Sequence, residues 1–464
     1  MTSILLNADS YKASHFLQYP ENTTAVSSYI ESRGGAFEAT VFFGLQMFLK
    51  QVLCKPFTQA DIEEAAEIAA LHGVPFNRAG WQYILDAYKG LLPVEIQAVP
   101  EGTVVGTQNV LVQVVNTDPA CAWLTSYVET SLLRAIWYPV TVATVSYNCK
   151  QVIRRYLEET GDSLDGLPFK LHDFGARGAS SEETAAIGGL AHLVNFMGTD
   201  TLSAIVAARR YYSEAMAGFS IPAAEHSTIT SWGRDNEKAA YANMLKQFAG
   251  PGKIVAVVSD SYDLWNAIDN LWGGELKEAV QASGGTLVIR PDSGEPVEIV
   301  SGTTERLMAK FGFRVNAKGY KVLPDCVRVI QGDGISLASI EAILAEMRRR
   351  GLSAENIAFG MGGELLQKVN RDTQKFAMKA SAACVAGVWR DVYKDPVTDA
   401  GKRSKRGRLA LVRGAEGQLE TVREDALAGR ENLLRTVFRN GDLIVEENLS
   451  VIRARAQPEP LRAR

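Results

Sequence analysis

The chain has 464 residues, of which 46% are hydrophobic and 22% charged, and its formal net charge is −4. This composition is typical of a globular protein with two or three domains, or of one large barrel with additions. The acidic balance disfavours a nucleic-acid partner, since general nucleic-acid binders carry a basic excess. The sequence shows neither a signal-peptide pattern nor the ~20 apolar residues of a membrane span, so we expect no membrane contact.

The five cysteines are scattered, odd in number and without CxxC spacing. We interpret them as reduced thiols, mostly structural, in a cytoplasmic protein. With only five histidines and no paired Cys/His spacing, a zinc site is not expected. The cysteines are Cys54, Cys121, Cys149, Cys326 and Cys384.

Residues 1–168 are predicted to form an α+β domain that the C-terminal segment partly completes. The acidic, alanine-rich stretch 61–70 is typical of a surface helix, and 93–115 alternates apolar and polar residues as strands do. Residues 123–157 are long, apolar and aromatic, which predicts buried helices.

Residues 169–375 repeat one pattern, in which a short apolar run ends in Gly, Asp, Ser or His and a helical stretch follows. Such strand–loop–helix units predict a parallel α/β barrel whose loops gather at one face, where barrel enzymes place their chemistry. An open doubly wound sheet is the alternative. Residues 376–464 are predicted as a return segment with a basic loop (402–408), strands at 409–412 and 443–445, and a frayed tail.

The ends of the apolar runs carry glycines, acidic residues and arginines, which together describe a site for a phosphorylated sugar. Glycine lets the backbone approach a ligand, arginine matches phosphate with a planar fork, and aspartate can hold sugar hydroxyls or a Mg²⁺ that bridges phosphates. The motifs are RPD at 290–292, GDG at 332–334 and GMGG at 360–363. Each alone could be an ion pair or a tight turn, and their recurrence favours a site.

His226 follows a proline-containing run and is flanked by Glu225, Ser227 and Thr228. A neighbouring carboxylate and hydroxyls are typical of a nucleophile or an acid–base group, although a lone histidine is often structural. Ser227 and Thr228 are equally good helix caps.

A second group of residues could grip a planar amide. The Phe174 ring would stack on it, Arg177 lies in the same loop, and the Asp200 carboxylate would accept an amide N–H. The alternative for Asp200 is the N-cap of a helix that begins near Thr201. His172 and His192 are interpreted as structural.

Taken together, the sequence motifs resemble those of the nicotinamide phosphoribosyltransferase family. The resemblance extends from about Ile4 to Val445, with the motifs in order. It implies the type II phosphoribosyltransferase fold, an irregular α/β barrel plus an α+β domain, in a homodimer with active sites at the subunit interface. The matching runs are NADSYKASHFLQYP, KLHDFGARGASSEETA, NFMGTDT, IPAAEHSTITSWG, VVSDSYD, IRPDSGEP, VIQGDG, AFGMGGELLQK and KDPVTDAGKRSKRGR.

The resemblance implies roles for individual residues in joining nicotinamide to phosphoribosyl pyrophosphate, with Mg²⁺ as cofactor and ATP as co-substrate. The ring would lie between Phe174 and Tyr11 of the partner subunit, with Asp200 on its amide. His226 would be phosphorylated by ATP, with Asp260 nearby. The other implied contacts are Arg177 and Arg290 at the diphosphate, Asp292, Gly332 and Asp333 at the ribose, Gly363 and Arg371 at the 5′-phosphate, and Arg33, Lys379, Lys394 and Lys402 as basic groups near the phosphates.

The sequence departs from the family pattern in a short segment between Arg33 and Phe42, in Ala256 for a serine, and in Met361 and Glu364 at the glycine-rich turn. Glu364 places a carboxylate near the expected phosphate site. Two other functions stay open: a nicotinate phosphoribosyltransferase, and a non-enzymatic dimeric binding or signalling protein. Asp200 disfavours the first, because a carboxylate repels an anionic substrate. The non-enzymatic function is disfavoured because the polar residues expected at the site are all present: His226, Arg290, Asp292, Asp333 and Arg371.

Overall fold

The structure is a computed structural model that describes residues 3–398 and 403–457. The strands are β1 (Thr23–Ser32), β2 (Ala39–Val41), β3 (Val94–Ala98), β4 (Val104–Gly106), β5 (Val110–Asn116), β6 (Leu171–Asp173), β7 (Gly198–Thr199), β8 (Ile254–Val258), β9 (Thr286–Arg290), β10 (Arg314–Val315), β11 (Lys321–Val322), β12 (Val327–Gln331), β13 (Ile357–Met361), β14 (Phe376–Val385), β15 (Val388–Asp391), β16 (Leu409–Arg413), β17 (Leu419–Arg423), β18 (Arg435–Arg439) and β19 (Asp442–Leu443). The α-helices are α1 (Leu45–Phe48), α2 (Gln59–His72), α3 (Arg78–Tyr88), α4 (Leu124–Tyr127), α5 (Glu129–Thr160), α6 (Glu182–His192), α7 (Leu202–Tyr212), α8 (His226–Thr230), α9 (Glu237–Phe248), α10 (Leu264–Asn266), α11 (Lys277–Ala282), α12 (Pro296–Phe311), α13 (Leu337–Arg349), α14 (Gly363–Leu366) and α15 (Leu449–Arg455).

The described chain divides into two compact units. Unit 1 comprises residues 3–144, 208–214 and 369–457, and unit 2 comprises 145–207 and 215–368. The sequence analysis placed its boundaries at 168 and 375, whereas the division between the two units at 144/145 falls within the continuous helix α5. Within the described ranges, no helix is both long and apolar enough to cross a membrane.

Unit 1 is built on a seven-stranded sheet with the order β15-β14-β1-β5-β3-β18-β19. The pairs β1/β14 and β3/β18 are antiparallel, so strands from both ends of the chain share this sheet. Its helix α2 begins with a capping box between Thr58 and Asp61 and ends at Gly73, whose φ of 84° suits glycine. The predicted surface helix, the strands within 93–115 and the buried helices of 123–157 are confirmed.

Unit 2 contains a parallel six-stranded sheet with the order β7-β6-β13-β12-β9-β8. Its longer strands are rich in valine and isoleucine and largely buried, as expected for parallel strands covered on both faces.

One extended segment closes this sheet into an irregular barrel. Phe219 forms a parallel bridge with Gly198 at the β7 edge, and Ala223 forms one with Ala256 at the β8 edge. The predicted parallel barrel is therefore confirmed, and the open doubly wound alternative is wrong. A small hydrophobic cluster of this unit consists of the buried residues Ala256, Val288 and Ile330. The partly buried side chains packed against it are Phe174, Ile221 and Ala358.

Candidate active site

The predicted site residues of unit 2 follow the carboxyl ends of its parallel strands, where the loops of a barrel meet. Phe174 and Arg177 follow β6, Asp200 follows β7, His226 follows the closing segment, and Asp260 follows β8. The remaining residues lie at the next strand ends: Arg290 and Asp292 at β9, Gly332 and Asp333 at β12, and Gly363 at β13.

The imidazole of His226 lies among polar groups from three loops. His226 is the first residue of α8, and Glu225 and Thr228 form the capping box of that short helix. Its Nδ1 lies 3.0 Å from Ser261 Oγ, and its Nε2 lies 3.4 Å from Asp292 Oδ2 and 3.9 Å from Asp260 Oδ1. The side chain is 46% exposed, so a ligand can reach it.

Asp260 holds the neighbouring loop in place. Its Oδ2 accepts the Asp292 N–H at 2.9 Å and the Ser293 hydroxyl at 2.5 Å. Its Oδ1 is buried without a hydrogen-bond donor, and the Nε of Arg290 is likewise buried without an acceptor. Arg290 donates from Nη2 to Asp292 Oδ2 at 3.1 Å. This arrangement leaves a carboxylate oxygen and a guanidinium N–H available to an ionic ligand.

Phe174 lies against glycines. A Cβ added at Gly360 would lie 2.0 Å from Phe174 Cε2, and one added at Gly332 would lie 3.2 Å from the same atom. A side chain at position 360 would therefore displace the ring, whereas one at position 332 would only make a tight contact with it. The ring is half-buried, so part of its surface remains open for stacking.

Asp200 is exposed and accepts a hydrogen bond from the hydroxyl of Ser220. It is not the N-cap of α7, because that helix begins at Leu202 and the cap position is therefore Thr201. Beneath it, Asp173 is fully buried, accepts the Gly175 N–H at 2.7 Å, and has its pKa raised to about 6, mainly by burial.

The loop after β13 contains Gly363 and Glu364, which the sequence analysis placed near a phosphate. Gly363 begins α14, and a Cβ there would meet nothing within 4 Å. Glu364 is paired with Lys368 at 2.5 Å one turn later, so its charge is compensated within its own helix. Gln331 is buried and donates to the main-chain oxygen of Asp333 at 3.0 Å.

Two histidines that the sequence analysis interpreted as structural contact other groups of unit 2. His192 is buried and contacts Ser146 Oγ at 2.9 Å. His172 contacts the carbonyl of Phe169, and burial lowers its pKa.

The remaining predicted residues lie in unit 1. Tyr11 is 58% exposed within a 3₁₀ turn, Ser10–Leu17. Arg371 is exposed and contacts Asp372 at 3.1 Å. Lys402 lies outside the described residues.

Three other predicted basic residues of unit 1 are close to one another. Lys379 lies on β14, opposite Tyr29 of β1. Burial lowers the pKa of Lys379, and the nearby cations Arg33, Lys12 and Lys394 add to the effect against the opposing charge of Glu129. Such a concentration of positive charge favours an anionic ligand.

Two carboxylates of the site could contribute to binding a metal ion. Among the residues that the structure describes, no group of three or more His, Cys, Asp or Glu side chains is arranged to hold a metal ion. The free Oδ1 of Asp260 and the carboxylate of Asp292 nevertheless suit Mg²⁺, which is commonly bound by one or two carboxylates together with substrate phosphates.

Several polar residues at this site were not identified from sequence. Ser220, Ser261 and Ser293 contact Asp200, His226 and Asp260, and each of these partners is in another loop or segment. Ser261 and Ser293 lie beside residues that were singled out, which is a usable signal. Nothing in the local pattern distinguishes Ser220.

Comparison with known proteins agrees with this geometry. A profile of the nicotinate phosphoribosyltransferase family matches residues 169–442, and one of the nicotinamide phosphoribosyltransferase N-terminal domain matches residues 3–96. The chain is 57% identical, over 98% of both chains, to a nicotinamide phosphoribosyltransferase of Xanthomonas campestris pv. campestris (strain 8004). It is 34% identical to one of Acinetobacter baylyi, over 97% of this chain and 96% of the relative.

Solved structures share the fold at low identity. A nicotinate-nucleotide pyrophosphorylase from Pyrococcus furiosus aligns with a TM-score of 0.63 and 15% identity, over 98% of this chain and 94% of that one. Human nicotinic acid phosphoribosyltransferase aligns with a TM-score of 0.57 and 17% identity, over 97% and 92%. The barrel with its added domain is thus the type II phosphoribosyltransferase fold. Within that class, the chain belongs to the nicotinamide phosphoribosyltransferase family.

Proposed function

We propose that this protein joins nicotinamide to phosphoribosyl pyrophosphate, giving nicotinamide mononucleotide and diphosphate in NAD salvage. The observation that carries the proposal is the 57% identity over 98% of the chain to a relative of that name. Phe174 and Asp200 follow the carboxyl ends of the paired strands β6 and β7, and this placement supports the amide as substrate.

In this reaction the pyridine nitrogen attacks C1 of the ribose, and the bond between C1 and the diphosphate oxygen breaks. The ring is proposed to stack between Phe174 and Tyr11 of the partner subunit, with its amide N–H donated to Asp200. Holding both reactants in line supplies much of the acceleration, since no enzyme nucleophile is needed.

The phosphorylated sugar is proposed to lie along the remaining strand ends. Asp292, Gly332 and Asp333 would hold the ribose hydroxyls, and Gly363 and Arg371 the 5′-phosphate. The diphosphate is proposed to contact Arg177, His226, Arg290, Arg33, Lys379, Lys394 and Lys402.

Mg²⁺ is proposed to be held by Asp260 and Asp292 together with diphosphate oxygens, where it would neutralise the charge of the leaving group. Arg290, with its unpaired buried Nε, would share in that task.

ATP is proposed to act through His226. The bond from the γ-phosphorus to the ADP oxygen breaks, a phosphorus–nitrogen bond forms on the imidazole, and water later releases phosphate. Extra negative charge beside the diphosphate site would favour binding of Mg²⁺ with phosphoribosyl pyrophosphate, and its loss would favour product release.

The assembly is proposed to be a cytoplasmic homodimer with shared active sites. Five free thiols within the described residues fit a reducing compartment. The exposed ring of Tyr11 fits a role in a neighbouring subunit.

One experiment tests the central proposal. Purified protein is incubated with nicotinamide, phosphoribosyl pyrophosphate, Mg²⁺ and ATP, and mononucleotide is followed by chromatography, with nicotinate as the competing substrate in a parallel reaction. Formation of the amide mononucleotide at the higher kcat/KM supports the proposal. Preference for nicotinate, or no product from either, would contradict it.

A further inference from the structure

Building on the proposed function, we propose that Ser220 is a positioning residue that orients the Asp200 carboxylate toward the amide of the substrate. Through this contact Ser220 would contribute to the choice of amide over acid. Ser220 lies in the segment that closes the barrel, one residue after Phe219, which bridges to β7.

The contact itself is short and specific. Ser220 Oγ lies 2.5 Å from Asp200 Oδ1, whereas the other acceptor within reach, the carbonyl of Ile221, lies 3.5 Å away. A serine hydroxyl has one proton, so the nearer and charged acceptor takes it. In the described ranges, no other side chain donates a hydrogen bond to the Asp200 carboxylate.

The backbones of both residues are held by their neighbours. The Phe219 N–H donates to Met197 O at 2.7 Å, and the Thr199 N–H donates to Phe219 O at 3.0 Å. The Asp200 N–H donates to Asp173 O at 3.0 Å. With the main chain fixed in this way, the side-chain rotamer of Asp200 is the remaining freedom. Both side chains are exposed, so without the Ser220 contact the carboxylate would be free to change rotamer in water.

This arrangement divides the two oxygens of the carboxylate between two tasks. Oδ1 receives the serine proton, and Oδ2 keeps its lone pairs for the N–H of a ligand amide. An acid has no N–H to donate and meets a negative charge. Two titratable groups that interact with Asp200 are His172, whose pKa burial lowers, and the buried carboxyl group of Asp173, so both disfavour an acidic ligand.

The test compares Ser220→Ala with Ser220→Thr, which keeps the hydroxyl, and with Ser163→Ala, an exposed serine of the same unit. In Ser220→Ala the Asp200 carboxylate should lose its orientation, which should raise the KM for nicotinamide about tenfold. The kcat and the KM for phosphoribosyl pyrophosphate should be nearly unchanged. Relative use of nicotinate should rise. The threonine variant should restore the KM, and the control should match the wild type.

A double variant separates positioning from a general structural effect. If Ser220 acts through Asp200, adding Ser220→Ala to Asp200→Asn should change the KM for nicotinamide by less than about twofold. Thermal melting of each variant checks that it is folded. Independent effects of the two substitutions, or an unchanged KM and selectivity in Ser220→Ala, would overturn the proposal.

Direct binding keeps this outcome distinct from failure of the proposed function. Calorimetric titration of nicotinamide should show about tenfold weaker binding to Ser220→Ala than to the wild type. If the wild type formed no mononucleotide, the proposed function would be wrong. Independently of that result, equal affinities of the wild type and Ser220→Ala for nicotinamide would contradict the positioning role of Ser220.

Discussion

His226 Nε2 lies 3.4 Å from Asp292 Oδ2, although the two residues belong to different strand–loop–helix units. The same carboxylate oxygen receives a hydrogen bond from Arg290 at 3.1 Å. The histidine is thereby linked to the loop proposed to bind ribose and diphosphate. A phosphoryl group on this imidazole would lie among the groups proposed to contact the leaving diphosphate.

Replacing His226 by alanine should abolish ATP hydrolysis and acid-labile phosphorylation of the protein while leaving weak, ATP-independent synthesis. The reason is that attack on C1 requires no nucleophile from the enzyme. Radiolabelled ATP with acid-lability analysis and a mononucleotide assay measure the two effects. His72→Ala on the exposed end of α2 is the matched control. A His226 variant that still hydrolysed ATP and gained from it would contradict the assignment.

Asp200→Asn should lose discrimination between nicotinamide and nicotinate, because an amide side chain can donate to a carboxylate. A mismatch at such a contact changes binding by about 1–3 kcal/mol, or roughly five- to 150-fold in kcat/KM. Competition between the two substrates at equal concentration measures the ratio. An unchanged preference for nicotinamide would show that another group sets specificity.

Gly360→Ala should weaken nicotinamide binding by at least about tenfold, since its Cβ would lie 2.0 Å from the Phe174 ring and force it to move. Gly274→Ala is the control, because its Cβ would meet its nearest atom at an ordinary 3.6 Å. The KM for nicotinamide and thermal melting are measured for both. Equal KM values in the two variants would contradict a stacking role for Phe174.

Activity should require a dimer. Coexpression of Tyr11→Ala and Arg371→Ala chains, each inactive alone, should restore about a quarter of wild-type turnover. With random pairing, half of the dimers are hybrids, and each hybrid has one site with both residues intact. Affinity-tagged hybrids and a turnover assay test this. Full turnover by monomers separated on dilution would contradict shared sites.

Glu101 should make unit 1 less stable as the pH rises. It is fully buried, accepts bonds from the Gln46 N–H and the Tyr212 hydroxyl, and has its pKa raised from 4.5 to about 7, mainly by burial. Its other charged neighbours are Glu447, which raises the pKa further, and Arg455, which donates to the main-chain oxygen of Glu101.

The folded state therefore holds this proton more tightly than the unfolded chain. The corresponding stability is present below about pH 4.5 and is lost as the pH rises to about 7, a change on the order of 3 kcal/mol. Melting temperatures at pH 5 and 8 should differ less in Glu101→Gln than in the wild type. An equal pH dependence in both proteins would exclude Glu101 as the cause.

The sequence by itself determined the strand–loop–helix order of unit 2 and the chemistry of its loops. The spacing of apolar residues, the turn residues and the charges are local properties of the sequence. Arg290, Asp292 and Asp333 could therefore be selected as candidate site residues without coordinates. His172 and His192 were interpreted as structural on the same local basis, since apart from the HDFG run that begins at His172 their surroundings did not resemble those of His226.

Only the tertiary structure decided how these loops meet. The closure of the barrel depends on two isolated β-bridges made by Phe219 and Ala223. No periodic pattern in the surrounding sequence predicts these bridges. The Ser220–Asp200 contact and the pairing of Glu364 with Lys368 depend on side-chain directions after packing. Local pattern fixes which residues are present at a strand end, whereas the distances between strand ends follow from sheet order and closure.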